Sequence, residues 1–323
     1  MQAMQHQSVS IVIPARNAAA SIAGTIEAAL AQDYPGAIEV VVAVGPSSDG
    51  TREVVARFGD PVRVIDNPSG TTPDALNRAI AASGGEVIAR CDAHAVLPPG
   101  YVSRAVATLI ATGAVNVGGV QHALGTTFFQ RAVAIAQSTP VGVGDARYRL
   151  GGEAGPVDTV YLGVFRRDAL EQAGGFDRRF ERNQDYELNW RLREAGGLVW
   201  FDPGLQVAYS PRNTPTALAR QYFEYGRWKR LMLRHHPRSV RPRQLAAPLL
   251  VAGLAVSALL AVTPWRPLGL VIPGAYGLVL EATAIVEGLR RRQPAALLLP
   301  LVIPTMHLSW GVGFLVPQSS AAR

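Results

Sequence analysis

Short apolar runs alternate with helix-periodic stretches through the first two thirds of the chain, and an almost uncharged apolar pattern replaces them from Leu245 onward. Ser10 to Ile13 forms the first run and stops at Pro14, followed by a helical spacing through Ile22, Ile26 and Leu30. Glu39 to Val44 is a second run, closed by the turn-forming residues Gly45, Pro46, Ser47, Ser48, Asp49 and Gly50, and a helix is expected to start near Thr51. Val62 to Ile65 and Val87 to Ala89 are the third and fourth runs. Strands alternating with helices of this length predict a doubly wound α/β domain with a mostly parallel sheet. Ligands bind such sheets at the carboxyl ends of the strands. The loops expected there hold the unusual residues: Pro14, Arg16 and Asn17, then Ser47 and Asp49, then Asp92 and His94.

The apolar part divides into three stretches, residues 245–263, 268–286 and 295–316. Each has roughly the 20 residues that a helix needs to cross a bilayer. Pro264 and Pro267 mark the first gap, and Arg290, Arg291 and Arg292 fill the second. Ahead of the first stretch lie Arg220, Arg227, Lys229, Arg230, Arg234, Arg238, Arg241 and Arg243, opposed only by Glu224. With both basic segments on the cytoplasmic side, three spans satisfy the positive-inside rule. Glu281 and Glu287 sit late in the second stretch and point to a tilted, short or partly interfacial helix. The organisation expected is a catalytic domain over residues 1–219, a basic amphipathic juxtamembrane segment over 220–243, and an all-α transmembrane region over 244–323. A solvated basic linker followed by a buried helical subdomain is the soluble alternative.

The formal charge of +7 invites a nucleic-acid reading, but the basic residues gather beside the apolar region and lack a groove-like pattern with interleaved aromatics. Anionic phospholipid headgroups fit that placement, and no nucleic-acid partner is expected. A single cysteine, Cys91, excludes an intramolecular disulfide framework. The polar start, Met1 to Ser8, has no signal-peptide pattern, so the first domain is expected in the cytoplasm of a multi-pass membrane protein. The first strand is followed by no GxGxxG, and the chain has no GxxxxGK[ST], which argues against a dinucleotide-dependent reductase and a P-loop NTPase.

Three constellations carry candidate chemistry. Asp92 and His94 end the fourth run, and in an extended chain residues i and i+2 share a face, so the two could hold one divalent cation beside a diphosphate leaving group. Imidazole inclines such a pair toward Mn2+ over Mg2+; a turn-capping aspartate with an incidental histidine is the plainer reading. Asp185 stands near the start of an amphipathic pattern through Leu188, Trp190 and Leu192. There it either interacts with the helix dipole or takes a proton from an attacking hydroxyl. Glu187 points away on a helix and is the second choice. Arg220 to Trp228 interleaves arginines with Tyr222, Phe223 and Tyr225, which suits either a diphosphate grip with sugar stacking or an interfacial helix.

Taken together, these pieces resemble the family 2 inverting glycosyltransferases of GT-A fold. The resemblance rests on Ser10-Ile-Val-Ile-Pro-Ala-Arg-Asn17, Ser47-Ser-Asp-Gly-Thr51 and Asn67-Pro through Asn77, in that order over roughly residues 8 to 230. A closer likeness, to the succinoglycan-biosynthesis glucosyltransferase subfamily, is carried by Arg90-Cys-Asp-Ala-His94, Pro98 to Val102, Val117-Gly-Gly119, Val157 to Tyr161, Asn183 to Asn189 and Gln221 to Trp228. The resemblance implies a Rossmann-like GT-A domain with Asp92 and His94 at the metal and diphosphate motif, and Asp185 at the catalytic-base position. It makes Pro14, Arg16, Asn17 and Asn77 donor-contact candidates along with Asp92. Asp158, Gln184, Gln221, Arg227 and Trp228 are candidates on the acceptor or diphosphate side. Where the family usually has an acidic pair contacting uracil, this chain has Val44 and Gly45, and His94 replaces the usual second aspartate. Gln221 and Arg227-Trp228 are further apart than in processive synthases, which favours addition of a single sugar.

The reaction expected is a single displacement that turns an α-linked nucleotide-sugar donor, UDP-glucose or similar, into a β-linked product. Asp185 would act as base and a divalent metal, Mn2+ or Mg2+, would sit at Asp92 and His94. The expected acceptor is a saccharide on a polyprenyl diphosphate, in exopolysaccharide or cell-envelope glycan synthesis. The alternatives are a sugar-phosphate nucleotidyltransferase, which would need a glycine-rich basic loop that residues 13 to 25 lack, and a non-catalytic membrane platform keeping the fold.

Overall fold

The computed structural model describes residues 7–316, so most of the polar start singled out above lies outside the described residues. The elements run β1 (Val9–Ala15), α1 (Ile22–Leu30), β2 (Ile38–Val44), α2 (Thr51–Ala56), β3 (Val62–Asp66), α3 (Thr72–Ala82), β4 (Val87–Arg90) and α4 (Tyr101–Thr112). They continue with β5 (Asn116–Ala123), α5 (Phe128–Gln137), α6 (Pro140–Val143), α7 (Arg147–Leu150), β6 (Gly155–Pro156), β7 (Tyr161–Arg166), α8 (Arg167–Gln172), α9 (Gln184–Glu194) and β8 (Val199–Tyr209). Last come α10 (Pro215–His235), α11 (Pro242–Leu260), α12 (Arg266–Gly269), α13 (Val271–Arg291) and α14 (Leu299–Leu315). The described residues form two compact units: 7–122 with 151–208, and 123–150 with 209–316. The stretch 123–150, expected within the first domain, therefore groups with the C-terminal helices.

The first unit is built on a mixed eight-stranded sheet of order β3-β2-β1-β4-β7-β5-β8-β6. The four runs read as strands from the sequence make its parallel half: β1 pairs with β2 and β4, and β2 with β3. Ile11, Ile13, Val40, Val42 and Val87 on one face and Val12, Val41 and Ile88 on the other are all buried, which is why these strands read as unbroken apolar runs. From β4 onward the pairing reverses, with β7 antiparallel to β4 and to β5.

In the second unit three helical stretches are long and apolar enough to cross a membrane: Pro242–Leu260, Arg266–Arg291 and Pro294–Leu315. Little of the first two is covered by protein, and Leu249, Leu259, Leu278 and Leu289 stand exposed. Exposed leucines along helices of this length match a lipid solvent far better than water. The third stretch is the most covered, because α14 packs along α10. A Cβ on Gly226 would fall on the Trp310 carbonyl, and one on Gly313 on the Phe223 carbonyl, so glycine is what lets the two backbones approach. Tyr276 and His307 join α13 to α14 by a 3.0 Å hydrogen bond.

Candidate active site

The parallel strands β1, β2, β3 and β4 end at one edge of the sheet, and the loops that follow are fastened to each other there. Asn17 donates its backbone N–H to Ser47 Oγ and accepts from the Ser48 N–H, each at 3.0 Å. The Ala19 N–H reaches Asp49 Oδ2 at 2.9 Å, and that carboxyl is held below its ordinary pKa, chiefly by the Thr51 hydroxyl. Ser47 and Asp49 thus fix the loop geometry. Gly70, in the left-handed region at φ +67°, lets the β3 loop lie against Arg16 and Pro46. A Cβ at Gly45 would stand 3.2 Å from the Gly70 Cα, so a side chain here would press on the β3 loop.

A cleft of about 290 Å³ opens beneath these loops. Pro14, Arg16, Asn17, Asn67, Arg90, Asp92, His94, Arg182 and Gln184 line it. Strand β4 stops at Arg90, and Asp92 to Ala95 form a turn closed by the Ala95 N–H on the Asp92 carbonyl at 2.8 Å. The alternation of an extended chain therefore does not apply to Asp92 and His94; a turn brings them to the same cleft. Ser21 and Thr25 hold that turn by donating to the Ala93 carbonyl at 2.9 and 3.1 Å.

At the floor is Arg90, 5% exposed. Its Nε and Nη2 donate to Asp92 Oδ1 at 3.1 and 2.8 Å, and its Nη1 donates to Asp185 Oδ1. Asp185 lies in the first turn of α9 and keeps a third of its side chain accessible. Burial pushes the Asp185 carboxyl above the usual carboxylate range; Arg90 opposes that rise and the Asp92 charge adds to it. Burial by itself would lower the Arg90 pKa, but Asp185 and Asp92 outweigh it and raise it above its ordinary value. Tyr161 lies within electrostatic reach of Asp92, and its hydroxyl is pushed up mainly by burial.

Helix α9 is itself anchored. Asn189, one turn after Asp185, accepts from Asn116 Nδ2 at 2.6 Å and donates to Thr159 Oγ1 at 3.0 Å. Glu187 is fully buried and takes both its oxygens to Arg191 at 2.7 Å, a structural pair. Gln184 is buried beside the cleft, and Asp158 lies 3.5 Å from the Tyr186 hydroxyl. Asn77 stands elsewhere: its amide accepts from the Phe176 N–H at 2.8 Å and donates to the Phe176 carbonyl at 2.7 Å, beside a wider depression lined by Arg78, Arg167 and Arg191. That depression is larger, but its arginines are bound to carboxylates or carbonyls of the protein itself. Gln221, Arg227 and Trp228 belong to α10 in the second unit. There Gln221 donates to the Tyr209 and Tyr225 hydroxyls, and Arg227 pairs with Glu224 at 3.2 Å. Sequence reasoning passed over Arg90, which reads as the polar end of a strand, and Arg182, which precedes a helix; only their place in the cleft marks them.

Residues 10–174 match the model of the family described as Glycosyl transferase family 2. Over 310 residues the chain is 35% identical to succinoglycan biosynthesis protein ExoA of Rhizobium meliloti (strain 1021), covering 94% of this chain and 93% of that protein. The chain belongs to glycosyltransferase family 2. It is also 24% identical, over 70% of its length and 74% of the other's, to a Methanococcus voltae dolichyl N-acetyl-alpha-D-glucosaminyl phosphate 3-beta-D-2,3-diacetamido-2,3-dideoxy-beta-D-glucuronosyltransferase. Among solved structures, mannosyltransferase PcManGT from Pyrobaculum calidifontis, in complex with GDP-Man and Mn2+, superposes with a TM-score of 0.64 at 19% identity, covering 97% of this chain and 88% of that one. That likeness confirms the GT-A fold expected from the sequence. A family 2 glycosyltransferase is an enzyme that transfers a sugar.

Proposed function

We propose that this glycosyltransferase adds one sugar from a nucleotide-sugar donor to a saccharide carried on a polyprenyl diphosphate, with inversion, at the cytoplasmic face of a membrane. The observation that carries the reading is the Asp92–Arg90–Asp185 chain, in which Asp92 and Arg90 line the cleft and Asp185 is tied to Arg90. One carboxylate faces the loops that suit a donor, the other begins the helix opposite, and one buried guanidinium fixes the interval between them. Asp185 accepts the proton of the acceptor hydroxyl as that oxygen attacks the anomeric carbon. Its raised pKa makes it a stronger base than an ordinary aspartate. Arg16 and Arg182, exposed on the cleft rim, suit the oxygens of a diphosphate.

Asp92 and His94 also suit a divalent cation, Mn2+ or Mg2+. Among the described residues Asp92 Oδ2 makes no hydrogen bond, and no cluster of three metal-ligating side chains exists. Two protein ligands with the rest supplied by substrate phosphate and water is a normal arrangement for such ions. When bound, the cation supplies positive charge to the departing nucleoside diphosphate.

The lipid side of the proposal is supported by composition. Residues 123–150 and 209–323 carry 17 basic and 4 acidic residues, the rest of the chain 14 and 20, so +13 and −6 make up the chain's +7. A basic, apolar unit suits an anionic leaflet, and the positive-inside rule puts its arginine-rich segments in the cytoplasm. The test is transfer of label from a panel of radiolabelled nucleotide sugars into the organic-extractable lipid of membranes containing the protein. Labelling by one donor supports the proposal; donor turnover with all label remaining water-soluble refutes the lipid-linked acceptor.

A further inference from the structure

The second unit holds a buried cation that the proposed transfer leaves unused. Arg149, on α7, is 8% exposed. Its Nη1 donates to Gln137 Oε1 at 2.9 Å, and its guanidinium lies over the rings of Tyr148 and Tyr209, 5.5 and 5.6 Å from their centroids. Gln137 is fully buried and donates in turn to the Tyr222 hydroxyl at 3.3 Å. Gln221 ties the hydroxyls of Tyr209 and Tyr225 together at 3.0 and 3.1 Å.

Among the described residues no carboxylate pairs with Arg149, and the Gln137 contact is its single hydrogen bond. A guanidinium has five N–H donors and keeps its charge under all physiological conditions. The buried Arg90 shows how this chain otherwise treats such a group: it is given two carboxylates. Ring faces attract the Arg149 charge, but they accept no N–H in the plane of the guanidinium fork. The fork's natural complement is an anion with two adjacent oxygens, a phosphate above all.

The surroundings select the source of that phosphate. Gln137 closes α5, whose Ala132, Val133 and Ala136 are buried together with Leu299, Val302, Ile303 and Met306 of the third apolar stretch. The cation is thus fixed by a helix seated on a segment long and apolar enough to cross a membrane. An anion delivered there on a hydrocarbon chain has that chain's own solvent beside the site.

We propose that Arg149, with Tyr148 and Tyr209, forms a subsite for the phosphate group of a lipid carrier of the polyprenyl type. The inference deepens the acceptor side of the function proposed above and rests on that reading. It is tested with full-length protein in phosphatidylcholine nanodiscs, by equilibrium binding of radiolabelled farnesyl diphosphate to the wild type, Arg149→Met and Arg149→Lys. Inorganic pyrophosphate and anionic phosphatidylglycerol nanodiscs serve as competing sources of phosphate. Loss of a charge-assisted contact predicts binding weakened about tenfold or more by Arg149→Met, with Arg149→Lys between the two. Thermal unfolding and binding of the donor nucleotide identify any variant that has misfolded, and Arg149→Lys keeps the test open if the methionine variant fails. Equal binding by wild type and a folded Arg149 variant overturns the proposal. So does pyrophosphate binding as tightly as farnesyl diphosphate, which would mark a free-phosphate site, or full displacement by phosphatidylglycerol, which would mark a general headgroup site. Arg149-dependent binding without sugar transfer to lipid would sink the proposed function and leave this subsite standing.

Discussion

Arg90 Nη1 donates to Asp185 Oδ1 while Nε and Nη2 of the same guanidinium hold Asp92, so two aspartates 93 positions apart in the sequence share one buried cation. Its geometry explains how a carboxylate in the first turn of α9 stays joined to a residue that lines the cleft at the strand ends. It also makes the two ends of the site interdependent.

The first consequence is a pH dependence. Asp185 must be ionised to accept a proton, so activity is present above its raised pKa and falls away as pH drops through it. Arg90 favours the ionised form. In Arg90→Met the pKa climbs further, and the acidic limb of the kcat/KM profile moves to higher pH than in the wild type. Breaking this buried pair also costs about 3–5 kcal/mol of stability. A profile whose acidic limb stays in place or moves to lower pH contradicts the coupling.

Cation dependence is expected to divide between the two ligands of the turn. Asp92→Ala abolishes stimulation by Mn2+ and Mg2+ alike, whereas His94→Ala loses the preference for Mn2+ because imidazole, absent in that variant, favours the later metal. Titrating activity against each ion checks both. Unchanged metal response in Asp92→Ala removes this residue from the cation site.

Asn189 predicts an effect at a distance. Asn189→Ala leaves the Asn116 amide and the Thr159 hydroxyl buried without their shared partner, at a cost of about 1–3 kcal/mol. Because the register of α9 sets the position of Asp185, kcat should fall more than donor KM rises. Thermal unfolding and steady-state kinetics read the two effects separately; a stability loss with intact kcat would confine Asn189 to packing.

In the second unit Gly226→Leu is expected to separate α10 from α14, since even a Cβ there meets the Trp310 carbonyl. Overpacking at such a contact costs about 1–3 kcal/mol or more. Gly277→Ala, where a Cβ meets nothing within 4 Å, is the matched control and should unfold in detergent at the wild-type temperature.

The parallel half of the sheet was legible because each of its strands is a solid apolar run bounded by Pro14, Gly45 or a polar turn, a signal contained in a few neighbouring residues. The three apolar stretches were legible for the same reason, and their helices begin and end within a few residues of the expected limits. What escaped depends on distant partners. Arg90 is bonded to an aspartate 95 residues later, and Asn77 is taken up by a backbone contact with Phe176 that its own surroundings do not announce. The grouping of 123–150 with the C-terminal helices likewise follows from burial of Ala132 and Val133 in one cluster with Val302 and Ile303, which no local pattern encodes.

The most direct measurement compares wild type and Asp185→Asn for transfer of labelled sugar into the lipid fraction, with donor binding measured on the same membranes. The account predicts a rate lower by about 10² to 10⁴ with donor still bound, since only proton removal is lost. Transfer by Asp185→Asn at the wild-type rate would contradict it, because another group would then be the base.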